Sequence, residues 1–409
     1  MKAAPARGAW RTDHFWVRLA RAARIIPWLL AAVAFAVVAR HLLLTPAIPL
    51  DNQPVPDAQE YAVSAYRLAH GQGFTIDATI KEVPTHPPGV NPPRFPPGLP
   101  LLLAPFTLSG QFPDDAQFGA RTVAIGYLLV MTLAAAFLAG SWAALLVTLL
   151  VGISPFVESS AKLVMSDALS AALGVALLPF LLRRSVRSAA LAGLIGGFAI
   201  AVRLEAVIPL AVFFALLPGS RRRLATVVAA GLPVGLLAIW QWVTFGRPWG
   251  TGNDYWLHGV LRNFDFGYIT RTSRFAEGPW IYPDRLSGAL AQWACAPHCG
   301  PSPLAVLPNI LFYTLVVAGV FWIFAPPFVS GLGVVVSVLW WRDLAARMAL
   351  LSTAAAFMLH IAYVGQGARF LAASVSMLIV VACVPLRRLP WSEWPVSARP
   401  ADAREAPAV

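Results

Sequence analysis

Charge is what this chain has least of. Charged residues make up 12% of its 409 positions against 58% hydrophobic ones, and the mean hydropathy is +0.67. A soluble domain usually carries about 25% charged residues to hold its surface in water, so a chain of water-soluble domains is excluded. Cysteine is scarce too, with three residues in all, too few for a disulfide scaffold. Segments of alternating polarity, the mark of a transmembrane barrel, are missing from 119–155 and 370–386. The two halves show no repeat, and few charges fall inside apolar runs, as a transporter or flippase would require. What is present is a series of apolar runs about 15–22 residues long, close to the length a helix needs to cross about 30 Å of hydrocarbon. The expectation is an all-α polytopic membrane protein.

Arginine placement sets its orientation. The net charge of +12 gathers at the ends of apolar runs: Arg7, Arg11, Arg18, Arg21 and Arg24 before the first, then Arg183, Arg184 and Arg187, Arg221 to Arg223, Arg342 and Arg347, and Arg387 and Arg388. This is the positive-inside pattern and argues for topology, not nucleic-acid binding. With every cluster cytoplasmic, about ten (ten to twelve) spans are expected, at 25–44, 119–139, 141–156, 167–182, 188–202, 204–218, 224–243, 322–341, 348–364 and 370–386. Residues 98–112 and 304–321 would each invert the clusters downstream, so they are expected to be interfacial or re-entrant, with Pro326 and Pro327 marking a break. Residues 1–24 form a basic cytoplasmic N-terminus, 25–44 a retained anchor without a cleavage site, 25–388 the transmembrane domain, and 389–409 a polar, disordered cytoplasmic tail. Two long segments, 45–97 and 244–303, and short turns near 157–166, 202–206 and 365–369 fall on the external face, where they are expected to converge.

Cys295 and Cys299 lie in the second external segment, where an oxidising compartment makes a disulfide plausible and free thiols are the other reading. His298 between them permits a metal reading, which lacks a fourth ligand. Cys383 reads as a packing residue. Trp249, Tyr255, Trp256, Tyr268, Trp280, Tyr282 and Trp293 suit an interfacial belt and equally suit sugar stacking.

The first external segment carries the candidate chemistry. A helical pattern opens at Asp57 and stops at Gly71 and Gly73. Asp57 and Glu60 could form a capping box that stabilises this helix and does nothing else. A carboxylate beside the membrane surface is equally placed to act as a base. Asp167, following Ser166 at the start of an apolar helix, reads as an N-terminal cap.

The order Asp57, Glu60, Tyr61, then A-x-x-L-x-x-G-x-G-F from Ala65 to Phe74, then R-F-P-P-G-L-P-L-L-L from Arg94, resembles the first external loop of C-type (GT-C) glycosyltransferases. The nearest likeness is to the branch of protein O-mannosyltransferases and the lipid A aminoarabinose transferase. Segments beginning at Val164, Gly196, Phe245 and Gly367 resemble further motifs of that branch in the family's order. The resemblance implies a GT-C-like fold with external juxtamembrane helices and a catalytic groove against the membrane. It also implies an inverting transfer from a polyprenyl-phosphate sugar to a protein, glycolipid or polysaccharide acceptor on the external, periplasmic face of a bacterial inner membrane. Asp57 then matches the catalytic base. The leaving phosphate needs cations, for which Arg94, Arg203, Arg369 and Lys162 are candidates, with Glu60 and Tyr61 as further substrate-binding residues. Arg203 and Glu205 could instead satisfy one another. No cofactor is expected; a divalent cation would want two or three converging acids, which only Asp57, Asp167, Glu60 and Glu158 could supply. Ala58 and the proline-free stretch from Ala372 to Ser376 depart from the family pattern, which keeps a catalytically inactive relative among the readings.

Overall fold

A computed structural model describes residues 9–53, 57–77, 90, 91, 93, 95–245, 306–361 and 368–388. Arg94, Cys295, His298, Cys299, the aromatic residues of 249–293 and the segment 389–409 lie outside the described residues. In chain order the helices are α1 (Ala9–Leu44), α2 (Asp57–Ala69), α3 (Gly98–Leu103), α4 (Asp114–Ala139), α5 (Ser141–Gly152), α6 (Pro155–Lys162), α7 (Asp167–Leu182) and α8 (Val186–Val202). They continue as α9 (Val207–Leu216), α10 (Ser220–Phe245), α11 (Val306–Ala318), α12 (Val329–Leu339), α13 (Leu344–His360) and α14 (Ala372–Val381). The described strands are one two-residue antiparallel pair, β1 (Ile76–Asp77) with β2 (Val90–Asn91), closing the loop that follows α2.

Each of the ten apolar stretches expected to span holds a helix. Four are long and apolar enough to cross alone: Ile25–Leu44, Asp114–Ala139, Ser220–Val243 and Ala368–Arg387. The stretch 141–156 is not one straight helix. It breaks after α5 and turns by 61° into α6, because Ser154 caps the new helix through Val157 N–H and Pro155 opens it. The stretch 322–341 becomes helical only at Val329, since Pro326 and Pro327 keep the preceding residues out of a helix and Phe328 adopts a left-handed φ of 66°. The six residues of α3 are far short of a membrane crossing. The 13 residues of α11 rise only about 20 Å.

The outward faces are what lipid requires. On α10, Val228, Leu232, Leu236, Ile239 and Val243 are all exposed, a continuous apolar stripe that water would penalise. Between helices, small residues allow close approach. A Cβ on Gly193 would sit 2.2 Å from Thr226 O and one on Gly197 2.3 Å from Ala230 O, so α8 lies against the α10 backbone; one on Gly196 would strike Leu210 of α9 at 2.7 Å. Two pairs of buried hydroxyls bond across helices, Tyr127 with Ser376 at 2.7 Å and Thr132 with Thr148 at 2.8 Å.

The two ends of the bundle differ in chemistry. At one end arginines bond the last carbonyls of helices, which have no partner within the helix. Arg222 donates to Leu181 O and Arg183 O at 2.6 and 2.7 Å, Arg223 to Leu217 O at 2.6 Å, and Arg387 to Leu138 O and to Asp343 at the start of α13. At the other end lie the starts of α2, α7 and α14 and the ends of α8 and α13.

Candidate functional site

Four of the five segments expected to converge meet at that second end; the fifth, 244–303, is almost wholly outside the described residues. Asp57 is the first residue of α2, and its Oδ2 lies 3.6 Å from Nη2 of Arg369, each side chain about one-fifth exposed (20% and 21%). Arg369 belongs to the 3-10 turn Ala368–Leu371 that leads into α14.

Arg203 follows the last turn of α8 in extended conformation. Its guanidinium is held on two sides: Nη2 and Nε reach Glu205 Oε1 at 2.8 and 3.2 Å, and Nη1 bonds Asp167 Oδ1. Asp167 is buried, and its second oxygen has no hydrogen-bond partner. Asp167 therefore does more than open α7: it fixes the end of α8 to the start of α7. Phe370 fills the space between the two arginines, with Arg369 5.4 Å and Arg203 5.7 Å from its ring centre and the His360 ring stacked on it at 5.2 Å.

Tyr61, one helical turn beyond Asp57, is buried and shares a hydrogen bond of 3.0 Å with Ser166 Oγ. Burial pushes its phenol well above the ordinary tyrosine range, partly offset by the positive charge of Arg203, so it enters the site as a neutral hydrogen-bonding group. Glu60 is also buried. Lys162 is engaged elsewhere, 2.6 Å from Glu158 on α6 in a partly exposed pair.

A cavity of about 30 Å³ is lined by Asp167, Arg203, Glu205, His360, Arg369 and Phe370. That is room for about two water molecules at roughly 10–15 Å³ each, not for a sugar. A larger ligand would have to lie outside it. Among the described residues no three His, Cys, Asp or Glu side chains group to hold a metal ion. Asp57 faces a guanidinium, Asp167 and Glu205 share another, and Glu158 faces an ammonium.

Sequence reasoning did not single out Phe370, Ser166 or His360. Phe370 and Ser166 adjoin the motif residues Arg369 and Asp167, whereas His360 has no local signal.

No family model matches the chain, and no curated protein matches it in sequence. Solved structures do match. One is the archaeal oligosaccharyltransferase AglB from Archaeoglobus fulgidus, in complex with an inhibitory peptide and a dolichol-phosphate, at a TM-score of 0.52 and 15% identity over 87% of this chain and 50% of that one. Another is the Archaeoglobus fulgidus oligosaccharyltransferase in complex with Zn and sulfate, at a TM-score of 0.50 and 14% identity over 86% of this chain and 48% of that one. The fold is therefore GT-C-like, and the chain spans about half the length of these neighbours.

Proposed function

We propose that the chain is a glycosyltransferase that moves a sugar from a polyprenyl-phosphate donor to an acceptor on the non-cytoplasmic face of a bacterial inner membrane, inverting the anomeric centre with Asp57 as base. The observation that carries this reading is the Asp57–Arg369 pair, a carboxylate and a guanidinium brought together from distant parts of the chain at the bundle end opposite the arginine clusters. The GT-C-like fold supports it, as does the order of motifs that resembles the O-mannosyltransferase and aminoarabinose-transferase branch.

The two candidate arginines divide in role. Arg203 already faces two carboxylates and is 15% exposed; its work is to hold α7, α8 and Phe370 in place. Arg369 has one long ionic contact, to Asp57, and can turn to an arriving phosphate. Doing so would release Asp57 to take the proton of an acceptor hydroxyl. The hydroxyl oxygen then bonds to the anomeric carbon while the bond from that carbon to the phosphate oxygen breaks. Its electron pair leaves with the phosphate, which Arg369 stabilises. Tyr61, neutral and bonded to Ser166, orients α2 and so Asp57.

The test is transfer by the purified full chain in lipid nanodiscs from a panel of radiolabelled polyprenyl-phosphate sugars into membrane extracts. Label should move from at least one donor into protein, glycolipid or polymer. Failure with every donor would overturn the reading.

A further inference from the structure

We propose that a second pocket at the same end of the bundle, lined by Arg121, binds the headgroup of a membrane lipid carrying both a phosphodiester and a primary ammonium. The pocket has a volume of about 550 Å³ and lies between the turn after α1 and the start of α4, with Leu50, Phe112, Asp114, Gln117 and Arg121 in its wall. It shares no lining residue with the cavity beside Arg369. Its size falls in the range of about 300–1,000 Å³ usual for small-molecule sites.

Its shape is built in. Gln117 donates to Ile48 O at 3.1 Å, Gln53 donates to the same carbonyl at 3.1 Å, and Ile48 N–H bonds Lys162 O at 3.3 Å, so the turn forming one wall is tied to both α4 and α6.

Arg121 stands apart from the arginine clusters, which gather at the opposite end; at this end Arg203, Arg369 and Lys162 face carboxylates and Arg67 donates to Thr75 Oγ1 at 2.7 Å. Arg121 is partly buried, its Nε is fully buried, and that Nε has no hydrogen-bond acceptor. It lies two turns into α4 from Asp114, about 10 Å along the axis. The Arg121 guanidinium lines the pocket, and its forked terminal N–H groups suit a phosphate. Asp114, exposed at the rim on the same face of the helix, disfavours a purely anionic headgroup and favours one with a cation beyond its phosphate. The apolar wall of Leu50 and Phe112 leaves room for the glycerol and the start of the acyl chains.

The proposal concerns binding, not turnover, and stands apart from the transfer reaction. Native mass spectrometry of the full chain, with phosphatidylethanolamine and phosphatidylglycerol added in equal amounts, reads it directly. The wild type should retain one phosphatidylethanolamine preferentially. Arg121→Gln should lose it at least tenfold, and Asp114→Asn should hold both lipids equally. Ala47→Trp, which fills the pocket from its rim and keeps both charges, should lose it as Arg121→Gln does. Equal retention by wild type and Arg121→Gln, or phosphatidylglycerol held as well as phosphatidylethanolamine by the wild type, would overturn the proposal. Displacement by an equal concentration of free phosphoethanolamine would overturn the assignment to a lipid.

Discussion

Adding one methyl group at Gly98 tests how closely the first external segment is fitted to the site. A Cβ there would sit 2.5 Å from Cγ2 of Val202 and 2.7 Å from both Ala201 O and Val202 N, where ordinary contact begins at 3.4 Å. Two of the three obstacles are backbone, so no rotamer change relieves the clash. The segment carrying α3 must retreat by nearly 1 Å from the end of α8, one residue short of Arg203. Overpacking of this kind costs about 1–3 kcal/mol, and a displacement of about 1 Å at reacting groups costs about 100-fold in rate. Gly98→Ala should therefore lower the thermal midpoint in detergent and reduce sugar transfer by one to two orders of magnitude, roughly the range those principles give. Gly126→Ala is the control, since a Cβ at Gly126 meets nothing within 4 Å. If Gly98→Ala were as stable and as active as Gly126→Ala, the fit of α3 to the end of α8 would have no bearing on the site.

Other variants separate structure from chemistry. Arg203→Gln leaves Asp167 and Glu205 without their shared cation, and loss of one partner of a buried ion pair costs about 3–5 kcal/mol; the expected outcome is loss of folded protein on size-exclusion chromatography. Arg369→Gln should fold normally and lose about 10²–10³-fold in transfer rate, the usual cost of one stabilising donor. Because burial raises the Tyr61 phenol above its unfolded value of 10.0, the unfolded chain ionises first as pH climbs past that value, and the folded state loses stability there. Thermal midpoints of wild type should thus fall more steeply than those of Tyr61→Phe between about pH 9.5 and 11. Gly197→Val, which would press a side chain into the Ala230 carbonyl, should separate α8 from α10 and abolish folded yield.

The helical bundle was readable because lipid imposes a simple rule: apolar runs of fixed length, with arginines at one end. Those arginines sit where the rule places them, on the terminal carbonyls of α4, α7 and α9. Reading failed where backbone detail decides. The break between α5 and α6 turns on Ser154 and Pro155, a local cap signal that overall hydrophobicity hides. The late start of α12 reflects Pro326 and Pro327, whose effect was foreseen as a break but not placed. The site was legible as a set of motif residues and not as an arrangement. Nothing local says that Asp57 meets Arg369 rather than capping α2, or that Arg203 is already occupied by two acids, because both contacts depend on how α2, α7, α8 and α14 pack. Gly98 belongs to a readable motif, but its reason, the approach of Val202, lies in another part of the chain. Arg121 had no signal beyond being a charge near the start of a span.

The central claim rests on Asp57, and the most direct measurement is single-turnover transfer by Asp57→Asn alongside equilibrium binding of the same polyprenyl-phosphate sugar. As general base, Asp57 should contribute about 10²–10⁴-fold, so the variant should bind donor as tightly as wild type and transfer it at least 100-fold more slowly, the lower bound of that range. Equal transfer rates would contradict the account and return Asp57 to the role of a helix cap.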